Sequence, residues 1–251
     1  MLEPKALLQA SFDASKAFFR PPGQATTAAN EDHASRRAEQ TRSPVMVPIR
    51  SIGQQELGRI TQHLLALNER DRYLRFGYAA SDDQIARYTQ GLDFERDEIY
   101  GIYNRKLELI AMAHLAFAYE SQCASCAEFG VSVLPHARGR GYGGRLFERA
   151  VMHASNEGVS MMFIHALSEN TAMLKIARNA GATLERDGSE TEAYLRLASP
   201  TLDTRMTEIV EDRFAQLDYH MKVQAQHFWS FLAGVQEVRR GVQAARHHRR
   251  M

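Results

Sequence analysis

"PHARGRGYGGRLFERA", residues 135–150, places four glycines and two arginines within seven positions and passes directly into a helical pattern. Two readings compete for it. Gly139, Gly141 and Gly144 satisfy G-x-G-x-x-G, the spacing of a dinucleotide-binding turn. Arg138, Gly141 and Gly143 satisfy R-x-x-G-x-G, an anion loop of another kind. The elements on either side of the stretch decide between them.

Upstream, "VMVPIRSI" reads as a strand. Helical segments follow over 53–67, around "RDRYLRF", and through "SDDQIARYTQGL". "DEIYGIYN" and "LELIAMAHLAFA" form a hairpin across Arg105 and Lys106. "AEFGVSVL" is a further strand, rich in β-branched and aromatic residues with no helical stripe. After the glycines, Leu146, Phe147, Ala150, Val151 and Ala154 recur at helical spacing, and Gly158 can end that helix. "VSMMFIHA" is an almost wholly apolar strand, as a buried parallel position requires. "NTAMLKIARNAGA" is another helix, with Asn170 near its start and Gly181 just past its end. Two short strands, "TLERD" and "TEAYLRL", close the region.

This order excludes the dinucleotide reading. In a Rossmann unit the strand runs almost directly into the first glycine and further βα units follow. Here "PHAR" intervenes, and after Gly181 only two short strands remain, although Glu169 does stand at a deceptive distance downstream. No Gly-Lys-Ser/Thr follows, so the loop is not a P-loop. What remains is a glycine-rich turn whose consecutive N–H groups, at a helix N-terminus, make a concave anion site. Gly139, Gly141 and Gly143 let the backbone approach the anion, and Arg138 and Arg140 add charge.

With 251 residues, 44% of them apolar, the chain can build one sizeable core or two small ones. A formal net charge of +1 offers no general attraction for nucleic acid or an anionic membrane. No apolar run approaches the roughly 20 residues needed to span a bilayer. The start "MLEPKALLQASFDASK" lacks the basic and apolar stretches of a signal peptide, so a cytoplasmic protein is expected. The only cysteines, Cys123 and Cys126, form "CASC". No second pair completes a zinc site, so no metal is expected and free thiols in a hairpin loop are.

The strand "EFGVSVLP", the loop "RGRGYGG" with its helix, the strand "VSMMFIHA" and "ENTAMLKIARNAGA" together resemble the central motifs of the GNAT superfamily of N-acetyltransferases, over about residues 45–198. The resemblance implies a GNAT fold of α/β (α+β) class: a mixed, mostly antiparallel sheet with a central splay, flanked by helices. It implies acetyl-CoA as donor substrate, its pyrophosphate on the loop Arg138, Gly139, Arg140, Gly141, Tyr142 and Gly143 and its pantetheine arm in the splay. Asn170 is similar to the asparagine that bonds that arm, and can serve as a helix cap as well. "ERDRYLRF", "IARYTQGLDFERDE" and the glycine-loop segment resemble more narrowly the transferase domain of bacterial protein lysine acetyltransferases. That points to an amine acceptor, a protein lysine or a small amine.

Acyl transfer to an amine needs a base, an oxyanion donor and a leaving thiolate. The resemblance places the oxyanion donor on a backbone N–H around Val131 to Val133. It places the base at Glu128, which acts directly or through water. Strand alternation sets Glu128, Gly130 and Ser132 opposite Phe129, Val131 and Val133. Many family members carry a tyrosine acid in the second helix; the matching position here is Ala177, so no general acid is assigned. After Gly181 stands Ala182, where the family usually has an aromatic. His165 and His114 read as structural histidines, and Tyr73 and Arg75 as shaping the acceptor side. The acceptor could be a protein lysine or a polyamine, amino acid or antibiotic amine. A non-catalytic CoA-binding regulatory module, and more weakly a helix-mediated assembly protein, stand as alternatives.

Two flanks remain. Residues 1–44 include the Pro-, Ala- and charge-rich "RPPGQATTAANEDHASRRAEQTRSP" and read as a flexible tail, with a short helix in "KALLQASFDASKAFF". Residues 199–251 carry Met206, Val210, Phe214, Leu217, Met221, Phe228, Leu232, Val235, Val238 and Val242 on one stripe of a long amphipathic helix ending in "RHHRR". That stripe is expected to pack on the domain or on a sister subunit, giving a homodimer; the alternative is docking on an anionic surface.

Overall fold

The computed structural model describes residues 47–118, 125–188 and 190–248. The expected N-terminal tail and its short helix lie outside the described residues, as do Cys123 and the last three residues of the chain. Six α-helices and seven strands follow in chain order among the described residues: β1 Arg50–Ser51, α1 Leu57–Leu65, α2 Glu69–Phe76, α3 Asp82–Gln90, β2 Glu98–Tyr103, β3 Leu109–Ala118, β4 Cys126–Val133, α4 Tyr142–Asn156, β5 Met161–Leu167, α5 Thr171–Asn179, β6 Thr183–Asp187, β7 Glu190–Arg196 and α6 Leu202–His248. The strands form one sheet in the order β1-β2-β3-β4-β5-β7-β6. Every neighbouring pair is antiparallel except β4–β5. This is the mixed, mostly antiparallel sheet that the resemblance implied.

Local chemistry starts and stops these elements. Ser81 and Gln84 form a reciprocal capping box at α3, and Asn68 caps α2 by accepting from the Asp71 amide. Asn104 accepts from the amides of Lys106 and Glu108, closing the β2–β3 hairpin. The strand expected over "VMVPIRSI" is only two residues long, because Pro48 has no N–H to give a ladder. β5 departs from a purely parallel setting: it pairs parallel with β4 over three residues and antiparallel with β7 along its whole length.

β3 is buried on both faces. α4 and α5 cover one side, where Phe129 of β4 meets Phe147 of α4 edge-on at 5.0 Å. α1 and α3 cover the other, where Ile60, Leu64 and Ile85 pack with Met112. Fully burying each of these side chains stabilises the fold by roughly 1.5–3 kcal/mol.

Two expectations are corrected here. Cys126 is disulfide-bonded rather than a free thiol. The apolar stripe of α6 does not pack on the domain; Met206, Val210, Leu217 and Met221 are all exposed. Its opposite, polar face docks instead, because α4 presents a buried cation there. Arg149 meets Asp212 at 2.6 Å and Glu208 at 3.4 Å, while His153 and Asn156 also bond Glu208. Periodicity located the stripe, but a buried arginine on another element chose which face turned inward.

Candidate functional site

β4 and β5 pair only over Cys126–Glu128 opposite Met161–Phe163, and then part. β4 stays paired with β3 as far as Val133 opposite Ala111. The Leu134 amide donates to the Ile110 carbonyl at 2.9 Å. Alternation along the ladder then turns the amides of Val131 and Val133 away from β3, toward the gap. The side chains of these two valines pack on the α4 side of the core.

The glycine loop lies where that strand ends. Gly139 and Gly141 have φ of +75° and +77°, a conformation that side-chain-bearing residues rarely adopt. A Cβ on Gly143 would sit 3.2 Å from Ile176 Cδ1, so the first turn of α4 lies tight against α5. The amides of Gly139 through Gly144 make no hydrogen bond to a backbone acceptor among the described residues. Unsatisfied N–H groups at a helix N-terminus suit an anion such as a diphosphate. Arg140 is exposed beside them, and Tyr142 is half-buried against the core. Arg138 lies across the loop: Nη2 is 2.6 Å from Asp71 Oδ1, and Nε donates to the Val133 carbonyl at 3.2 Å. Asn170 caps α5 by accepting from the Met173 amide, and donates to the Leu74 carbonyl of α2 at 3.4 Å.

The other face of β4 carries Glu128, Gly130 and Ser132, opposite Ala116, His114 and Met112 of β3. Glu128 is half-buried, and its Oε2 is buried without a hydrogen-bond partner among the described residues. A Cβ on residue 130 would fall 2.7 Å from Arg75 Nη2, so the glycine makes room for that guanidinium. Arg75 donates to the Tyr88 hydroxyl at 3.0 Å, which leaves that hydroxyl to donate to His114 Nδ1 at 2.8 Å. His114 Nε2 then donates to Asp97 at 3.0 Å. Four side chains from α2, α3, β3 and the turn before β2 thus form one continuous polar line beside Glu128.

Burial pushes the Tyr88 hydroxyl above its usual pKa, with Glu128 and Asp97 adding to the rise and Arg75 opposing it. Burial would also raise Asp97, but hydrogen bonds from His114 and Arg96 outweigh it and hold the carboxylate low. Nearby, His63 donates Nδ1–H to the Leu109 carbonyl and accepts from Ser132 at 2.8 Å; burial lowers its pKa to about 4.

The structure therefore sets Val131, Val133, Arg138, Gly139, Arg140, Gly141, Tyr142 and Gly143 at the C-terminal end of β4, with Glu128 near the start of that strand on its other face and Asn170 at the start of α5. His165 sits apart, on β5, 3.3 Å from Glu192. Tyr73 lines a shallow hollow with Glu69, Arg70 and Ala79. Ala177 is fully buried. Sequence reading missed Tyr88, Asp97 and His63. One signal was available: a bare Gly130 registered against a strand histidine is a place where another side chain must fill in.

Residues 62–182 match the family model described as the acetyltransferase (GNAT) family. Similar solved structures include the GNAT domain of S. lividans PAT, at 21% identity and a TM-score of 0.52 over 61% of this chain and 95% of that one. Another is spermidine N-acetyltransferase from Vibrio cholerae in complex with CoA and spermine, at 17% identity and a TM-score of 0.48 over 60% and 95%. No protein of curated function matches the chain in sequence.

Proposed function

We propose that this chain transfers an acetyl group from acetyl-CoA to a primary amine by direct attack in a ternary complex. A protein lysine is the acceptor class favoured by the segments similar to lysine acetyltransferases. One observation carries the reading. The unsatisfied amides of Gly139–Gly144 open at the end of the strand that bears Glu128, whose buried carboxylate oxygen has no partner among the described residues.

The steps follow from these groups. Free lysine has a pKa of roughly 10.4, so its ammonium must first lose a proton, which Glu128 accepts directly or through water. The nitrogen lone pair forms the C–N bond, and the displaced carbonyl electrons collect on oxygen, where the Val131 or Val133 amide donates to it. Those electrons return as the C–S bond breaks, and the sulfur leaves as thiolate and takes up the second nitrogen proton. With a thiol pKa near 8.5 the thiolate leaves without a side-chain acid, which agrees with alanine at position 177. The line Arg75–Tyr88–His114–Asp97 fixes the face beside Glu128 on which the amine arrives.

The test is an acetyl-CoA turnover screen against polyamines, aminoglycosides, amino acids and a pool of lysate proteins, with products identified by mass spectrometry. Acetylated protein lysines are expected. Acetylation of small amines alone would replace the lysine assignment. Binding of acetyl-CoA with no acetylated product would make the chain a CoA-binding regulatory module.

A further inference from the structure

Eight large apolar side chains are left exposed among the described residues, and all but Leu65 lie on α6. Met206, Val210, Leu217 and Met221 line one face and are 57–60% exposed. Their spacing of four, seven and four keeps them on a single stripe. Beneath it, Thr204, Glu208, Asp212, Tyr219 and Lys222 bond to α4, β1 and β2 or to the segments beside them. The helix is thus docked polar face down and apolar face out, the reverse of an ordinary surface helix. A contiguous apolar row of this kind marks an interaction surface rather than scattered exposure.

We propose that this stripe pairs with the same stripe of a second copy of the chain, the two α6 helices running parallel about a two-fold axis. The charges that border the stripe select this occupant. One edge carries Arg213 and His220; the other carries Asp218, one of whose carboxylate oxygens pairs with Lys222 of the same helix at 2.6 Å. Arg213 is exposed and has no ion partner among the described residues. In a parallel pair the unlike edges meet, each residue facing one about five positions further along the partner. Arg213 then faces Asp218 of the second copy. An antiparallel pair would bring the two Arg213 edges together and leave Asp218 without a cation from the partner. An anionic bilayer also fits poorly over residues 203–227, where Arg213 is the one lysine or arginine beside the stripe, whereas membrane-surface helices border their apolar face with several. In the sequence the apolar residues keep the same phase through Val242, a period of about 3.6 that lets two nearly straight helices stay in contact. After Val223, the side chains of Gln224 to His227 are exposed as well, so this end of the helix gains cover from a partner. The pairing does not depend on which amine the chain acetylates.

The full chain should sediment at equilibrium with twice its 28.4 kDa mass. Leu217→Glu with Met221→Glu should halve that mass without changing the circular dichroism spectrum or thermal midpoint, since both side chains are more than half exposed and belong to neither core cluster. Arg213→Asp should weaken the dimer, and adding Asp218→Arg should restore it. Cysteine at Met206 and, separately, at Met221 should each form cross-links between copies under mild oxidation. A wild-type chain that stays monomeric, or a glutamate variant that stays dimeric, overturns the pairing. Cross-linking only when the two cysteine variants are mixed overturns the parallel arrangement. A monomer that co-sediments with anionic vesicles assigns the stripe to membranes instead.

Discussion

Arg138 of the glycine loop and Asp71 of α2 are joined by an ion pair of 2.6 Å, and the same guanidinium reaches the Val133 carbonyl at the end of β4. The loop is thereby tied both to the strand it follows and to α2. If Arg138 also supplies charge to a diphosphate, Arg138→Ala should raise KM for acetyl-CoA about tenfold, the worth of one charge-assisted hydrogen bond, with kcat changed far less. Asp71→Asn leaves the arginine in place but less firmly aimed, so a smaller rise is expected. Steady-state kinetics with varied acetyl-CoA checks both. A fall in KM for Asp71→Asn would show that the carboxylate competes with the diphosphate for Arg138 instead of aiming it.

Glu128 and Tyr88 should separate in their effects. Glu128→Gln removes the proton acceptor and should lower kcat about 100-fold or more, with acetyl-CoA binding retained. Tyr88→Phe breaks the link from Arg75 to His114 without removing the base. It should raise KM for the amine and leave the acid limb of the pH–rate profile where it is. Unchanged turnover in Glu128→Gln with every amine would rule out the base assignment.

The fold was largely readable in the sequence because its signals are local. Strand alternation in "AEFGVSVL", the helical recurrence of Leu146, Phe147 and Ala150, and the glycines at positions 139 and 141 each depend on neighbours within a few residues. The glycine turn before α4 was readable for the same reason. Tyr88 and Asp97 were not, because their partner His114 arrives from a strand 17 to 26 residues away through sheet register. The orientation of α6 was hidden too. A helix with one apolar and one polar face announces two surfaces, and only Arg149, 59 or more residues earlier, determines which one is buried.

His63 should give the fold an acid-sensitive component. Its folded pKa, about 4, lies below the ordinary 6.5, so the folded chain holds it neutral where the unfolded chain protonates it. The unfolded state then binds more protons between those two values, and stability falls as pH drops through that window and levels off below it. The full effect is about 3 kcal/mol, of which roughly 2 kcal/mol should be lost by about pH 5. Urea unfolding across that range measures it. His63→Gln, which keeps a donor for Leu109 and an acceptor for Ser132, should flatten this part of the curve. An equally steep curve in that variant would assign the acid sensitivity to other groups.

Arg149 should make the docking of α6 all-or-none. Its side chain is 2% exposed, and α6 supplies the carboxylates around it: Glu208, Glu211 and Asp212. A buried cation stripped of its partners costs far more than a buried pair replaced by apolar atoms. Glu208→Gln with Asp212→Asn leaves Arg149 only the more distant Glu211, at 3.6 Å, and should therefore destabilise the chain by about 3 kcal/mol. Arg149→Met in that background should recover much of the loss, because the uncompensated charge is gone and the thioether can pack beside Tyr100, over which the guanidinium now lies. His153 adds a pH term of opposite sign to that of His63. Burial alone would lower its pKa, but the bond to Glu208 outweighs burial and raises it, so its contribution is complete below the ordinary value and fades as pH rises through the raised one. Glu208→Gln should remove that alkaline decline. Chemical denaturation of these three variants and of Arg149→Met alone, at neutral and alkaline pH, tests the whole scheme. Additive losses, with no recovery on Arg149→Met, would show that the arginine and the carboxylates stabilise the helix independently.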